Sequence, residues 1–199
     1  MEAIATRPKR TPKIPDSLIW EVLDGQPLYR RGYMDVVRKL KTYEDIMGTS
    51  SYQSIITTYL TLLLGSKIDL SRYDIMIGEI GVHLKYKDNI SNDIAIFNKI
   101  EGQKFSKKYV DFAPKIAIEL DIDIDPSSMS DIDYLNKKTQ KMLDFGVERV
   151  LWILTNSKKV LVATPQKDWL TMDWDKDIEI LEGIRFNIQS YLTERGIEI

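Results

Sequence analysis

Residues 115–125, KIAIELDIDID, restrict the fold more than any other stretch of this chain. Apolar side chains alternate at Ile116, Ile118, Leu120, Ile122 and Ile124, the two-residue period of a β-strand. The same period places Glu119, Asp121, Asp123 and Asp125 together on the opposite face. Like charges crowded on one strand face repel and resist loss of water, so the arrangement calls for solvent, a cation or a partner.

The chemistry open to such a site is narrow. The chain has no Cys and one His, His83, which excludes disulfides, zinc-thiolate centres and cysteine nucleophiles and leaves carboxylates, lysines and hydroxyls to act. Its 199 residues suit one domain, expected at 16–199, behind a flexible basic arm at 1–15 that carries Arg7, Lys9, Arg10 and Lys13. The longest apolar run, Tyr59–Gly65, is too short for a bilayer span, and the N-terminus lacks an apolar signal, so the expected location is cytoplasmic, with no membrane. The net charge is −2 but unevenly spread: residues 1–43 hold nine bases and five acids, while 116–135 hold six acids and no base. Separate basic and acidic regions suit a polyanion held beside a cation-binding pocket, and equally a basic tail on an acidic domain.

Turn chemistry and periodicity order the elements. Asp24-Gly25 marks a hairpin within LIWEVLDGQPLYRRGY, and Ser50 or Ser51 caps a helix running to Gly65 that is apolar on most sides and expected to be buried. YDIMIGEIGVHLKY, NDIAIFNK and KIAIELDID read as strands. A helix over 131–145 comes next, with Ser130 and Asp133 as a capping-box pair and Gly146 as its stop. RVLWILT and KKVLVAT form a hairpin about 156–158, and NIQSYLTERG is a last helix. The order predicts a mixed β-sheet flanked by helices, an α/β or α+β domain.

On the helix over 131–145, at about 100° per residue with Ile132 as zero, the apolar arc runs from roughly 220° to 20°. Lys138 falls at about 240°, inside that arc, whereas Lys137 and Lys141 face away. A lysine on a buried face needs water or an anion, and the acidic strand before the helix offers anions. Asp93 begins the strand NDIAIF, 26 residues before Glu119. Two strand carboxylates and a nearby lysine suit phosphodiester hydrolysis. The acids would hold Mg²⁺ or Mn²⁺ through oxygen, and the lysine would orient the attacking water or stabilise the phosphorane charge.

NDIAIF, then APKIAIELDID, then YLNKKTQKMLDFGVERVLWILT, with WEVLDGQPLY upstream, resembles the Uma-two family of endonucleases in the PD-(D/E)XK restriction-endonuclease-like superfamily. The resemblance spans roughly residues 17–165. It implies a restriction-endonuclease-like fold and a Mg²⁺- or Mn²⁺-dependent hydrolase acting on DNA; a monomer and a homodimer are both compatible with it. Residue by residue it implies Asp93 and Glu119 as metal ligands, Lys138 as the helix lysine and Glu21, on the family's opening Glu, as a supporting carboxylate; Asp121, sharing the strand face of Glu119, is either a further supporting carboxylate or a solvated one. The chain departs from the pattern in three places: Asp121 stands where the superfamily usually has its lysine, Asn92 replaces the expected Pro, and no His lies near Ser51. The competing reading is a nuclease-fold domain that is catalytically silent and binds DNA or a protein.

Other motifs fail on their own residues. A calcium loop begun at Asp121 would need Gly and Glu where Pro126 and Ile132 stand. LLLGSK lacks the order of a phosphate-binding loop, and GTSSY lacks a nucleophile elbow. His83 reads as structural and Trp152 as core; Asp123 and Asp125 read as a solvated strand end. Arg30, Arg31, Arg38 and Lys39 are candidates for phosphate contact.

Overall fold

The computed structural model describes residues 14–101, 106–127 and 129–198. The expected arm therefore lies, except for residues 14 and 15, outside the described residues. Two strands, β1 (Ile19–Leu23) and β2 (Gln26–Tyr29), lead into a short helix α1 (Tyr33–Val37) and a long one, α2 (Ser51–Lys67). A hairpin is next, β3 (Tyr73–Lys85) and β4 (Asp88–Asn98), and then β5 (Ile116–Leu120), α3 (Asp131–Phe145), β6 (Arg149–Leu154) and β7 (Lys159–Ala163). The chain closes with β8 (Leu170–Asp173), β9 (Ile178–Leu181), β10 (Ile184–Phe186) and α4 (Ile188–Glu194).

Local chemistry accounts for most boundaries. Asp24 and Gly25 both adopt positive φ, 52° and 75°, the mirror-image turn whose twist matches its flanking strands. Ser50 and Gln53 form a reciprocal capping box at α2. Ser130 accepts from Asp133 N at α3, and Gly146, at φ 117°, ends it. α2 is not buried on most sides as expected. Only Gln53, Ile56, Leu60 and Leu64 are buried, and Leu62 faces solvent. The helix packs by one i, i+4 stripe on a sheet that covers that stripe alone.

Strands β2-β1-β4-β5-β6-β7-β8 form the main sheet, with β3 paired to β4; β5 and β6 run parallel and the other pairs antiparallel. One face carries Ile94, Ile118, Leu151 and Ile153 beneath α2, α4 and the β9–β10 ribbon. The other carries Ala117, Val150 and Trp152 beneath α3. Alternation along β5 and β6 feeds the two cores in turn, so each inner strand is apolar on both faces.

Two irregularities of the sheet set where its acidic side chains end up. β4 lies against β3 along its length, but its other edge is divided: β1 pairs with it at Asn89 and β5 from Ile94 onward. The sheet forks across residues 90–93. The second irregularity resolves the acidic stretch. β5 stops at Leu120, Asp121 turns the chain at φ 60°, and the next residues cross to β2, where Arg31 N donates to Asp123 O and Asp125 N to Tyr29 O. The expected strand face of four carboxylates therefore does not form; Glu119 alone lies on it. Repulsion among the acids is relieved by ending the strand.

Candidate active site

Glu119 points from β5 toward α3 and is 5% exposed. Lys138, on the buried face of α3 and 1% exposed, donates to Glu119 Oε2 at 2.8 Å. The same ammonium donates at 2.9 Å to Glu21 Oε1 of β1, itself 2% exposed. Three residues from β1, β5 and α3 thus meet at the sheet fork. Ile132, the zero of the helical arc, is exposed because it sits in the first turn of α3, beyond the sheet.

The fork supplies the partners. With no strand opposite it there, Ser91 N donates to Glu21 Oε1 at 2.8 Å, and Leu120 N donates to Asp93 Oδ2 at 2.7 Å. Side-chain carboxylates take the place of missing ladder carbonyls. Tyr134 Oη donates to Glu21 Oε2 at 2.6 Å, and Asn92 Nδ2 to Glu119 Oε1 at 2.5 Å. The rings of Tyr134 and Trp152 stand 5.6 and 5.4 Å from the Lys138 ammonium. The cluster borders a cleft of about 410 Å³ lined by Trp20, Glu21, Glu79, Ser91 and Tyr109. A second cleft, about 470 Å³, opens past the end of β5 between Arg31, Tyr52, Gln53, Asp121 and Asp123.

Glu119 and Glu21 share one ammonium, and burial dominates the proton affinity of Glu119. Burial pushes the Glu119 carboxyl up to about 8; the Lys138 charge opposes the rise, and Asp93 and Glu21 add to it. Burial also raises Asp93 to about 6, against the pull of Leu120 N–H and Lys138. Burial works against the Lys138 ammonium, yet Glu119 and Glu21 outweigh it and keep it charged well above the ordinary lysine range.

Among the expected site residues, the structure joins Glu21, Glu119 and Lys138 directly and puts Asp93 against the residue after Glu119. It does not bring Asp121 to them. That carboxylate accepts from Thr155 N and Oγ1, both at 2.6 Å, because the left-handed turn at Asp121 swings it off the strand face. Asp123 is half-buried rather than solvated, and burial raises its carboxyl against the pull of Arg30. Arg30 is no surface base. It is buried, lies 3.8 Å from the Trp20 ring, and is engaged by Ile46 O, Met47 O and Glu79. Arg31 pairs with Asp131, and Arg38 and Lys39 are exposed. His83 pairs with Asn89 across the β3–β4 hairpin, and Trp152 is core, its Nε1 bonded to Thr139. Tyr134 and Ser91 escaped the sequence reading. Tyr134 lies at about 200° on α3, one step outside the arc that was drawn, and could have been found there.

Two carboxylates of this kind suit a hard cation that retains most of its water. Among the described residues no group of three or more His, Cys, Asp or Glu side chains is placed to hold a metal ion.

The mixed sheet with helices on both faces is an α/β fold, and it has a match among solved structures. The crystal structure of a protein of DUF820 from Anabaena variabilis, described as a candidate nuclease, aligns with it at a TM-score of 0.64, over 87% of this chain and 89% of that one, with 15% identity. No family model matches the chain, and no curated protein does. No helix among the described residues is long and apolar enough to cross a membrane.

Proposed function

We propose that this protein is a metal-dependent endonuclease that hydrolyses DNA phosphodiester bonds. The observation that carries the reading is the convergence of Glu119, Lys138 and Glu21 on the sheet fork, with Asp93 bonded beside Glu119. Burying an ammonium between two carboxylates is costly for stability alone, since apolar residues of similar volume fill such space as well or better. The nuclease description of the Anabaena protein and the resemblance of the strand, helix and turn segments support the same reading.

Asp93 and Glu119 would hold Mg²⁺ or Mn²⁺, which when bound polarises the phosphate and acidifies a water. Lys138 holds the Glu119 carboxylate in one orientation through Oε2, and two of its three N–H groups go to Glu119 and Glu21. The third would orient the attacking water or meet charge developing on the phosphate. Glu21 balances the ammonium and is itself fixed by Tyr134 and Ser91. Arg38, Lys39 and the basic residues ahead of Ile14 would contact flanking phosphates. The proposed enzyme would act on DNA in the cytoplasm, as a single chain or as a homodimer.

One observation favours a second reading, a silent nuclease-fold domain that binds DNA or a protein. Every carboxylate oxygen of Glu21 and Glu119 already has a donor. Nicking of supercoiled plasmid by the purified full chain, with Mg²⁺, Mn²⁺ or EDTA, separates the two. Cleavage that needs the cation and disappears in Asp93→Asn and Glu119→Gln is expected. No cleavage, together with no cation effect on melting, would leave the silent reading.

A further inference from the structure

Asn92 is 1% exposed, and its Oδ1 is the one buried side-chain nitrogen or oxygen among the described residues with no hydrogen-bond partner. Its Nδ2 is committed to Glu119 Oε1 and approaches Met142 Sδ at 3.3 Å. Unpartnered buried oxygens are rare in native proteins, and each needs a reason. It belongs to a carboxamide that meets Glu119 through Nδ2 and precedes Asp93, whose carboxylate meets the residue after Glu119, and these are the two acids that the proposed function assigns to a metal.

The path of β4 explains how. Ile90 packs in the core under α3, whereas Ile94 and Ile96 pack in the core under α2. Strict alternation would put all three on one face. The strand therefore turns over between Ile90 and Ile94, opposite a bulge in β3 where Gly78 and Glu79 both have positive φ. Asn92 and Asp93, which adjacent strand positions would send to opposite faces, both reach the Glu119–Leu120 end of β5.

We propose that the carboxamide oxygen of Asn92 is a third, neutral oxygen ligand for a divalent cation held by Asp93 and Glu119. An amide oxygen is a hard donor of the kind Mg²⁺, Mn²⁺ and Ca²⁺ accept, and it adds no charge to a cluster already rich in carboxylates. The inference rests on the metal site of the proposed function, and goes beyond it in giving the site a ligand where the resembling family has a proline that could supply no side-chain oxygen.

Calorimetric titration of Mg²⁺ and Mn²⁺ into the full chain, without DNA, tests this with wild type, Asn92→Leu, Asn92→Asp and Glu119→Gln. The side-chain amide resonances of Asn92 are followed by NMR as Mg²⁺ is added. Asn92→Leu is expected to weaken binding tenfold or more, Asn92→Asp to bind at least as tightly as wild type, and the Asn92 amide pair to shift at saturation. Should Asn92→Leu fail to fold, Asn92→Asp and the amide shift still decide. Wild-type binding with an equal constant in Asn92→Leu, or an unmoved amide, overturns the Asn92 assignment and leaves Asp93 and Glu119 standing. Absence of binding in wild type overturns the metal site itself, and this ligand with it.

Discussion

Lys138 Nζ lies 2.8 Å from Glu119 Oε2, although α3 and β5 are separate elements and both side chains are almost wholly withdrawn from water. A contact of that kind is held from both sides, and removing one partner leaves the other as an unbalanced buried charge.

Lys138→Ala is accordingly expected to lower stability by about 3–5 kcal/mol as well as to remove activity, because Glu21 and Glu119 would then face one another without a counter-ion. Urea unfolding of Lys138→Ala and of Lys138→Ala combined with Glu119→Gln checks this. The double variant should recover part of the loss, and additive losses would show that the pair is not coupled.

The metal-free protein should lose stability as pH rises. Asp93 and Glu119 are raised in the fold, to about 6 and about 8, from ordinary values of 3.8 and 4.5. Between those limits the folded state binds protons that the unfolded chain releases, so this contribution is whole below about pH 4 and is lost as pH climbs through 6 and then 8. Melting temperatures from pH 4 to 9 should fall across that window, with the upper part flattened in Glu119→Gln.

Tyr134→Phe deletes the 2.6 Å donor to Glu21 without changing the ring that packs on Trp152. A buried acceptor is left short of one bond, at a cost of roughly 1–3 kcal/mol. Chemical denaturation reads this directly, and an unchanged midpoint would mean that solvent replaces the hydroxyl.

A prediction away from the site concerns Gly81. A methyl group there would come within 2.6 Å of the Tyr109 ring, which lies across β3 where Val110 pairs with its edge. Gly81→Ala should displace Tyr109 and speed hydrogen exchange at Val110 N and His83 N, which bond across that edge.

What the sequence determined alone is what a few neighbouring residues can specify. The Asp24-Gly25 turn, the Ser130 and Gly146 limits of α3, and the hairpin about 156–158 rest on local backbone preference and capping. Helical geometry likewise put Lys138 on the face toward the sheet, since rotation about one axis needs no knowledge of the rest. Tertiary structure decided the rest. Period-two alternation ran on through Asp125, yet β5 ends at Leu120 because the residues after it are claimed by β2. The meeting of Glu21 with Lys138, 117 residues later, and the turning over of β4 that brings Asn92 to Glu119, come from the fork between β1 and β5. That fork is a competition between two strands for one edge of β4, and its outcome depends on packing summed across both cores, which no single segment encodes.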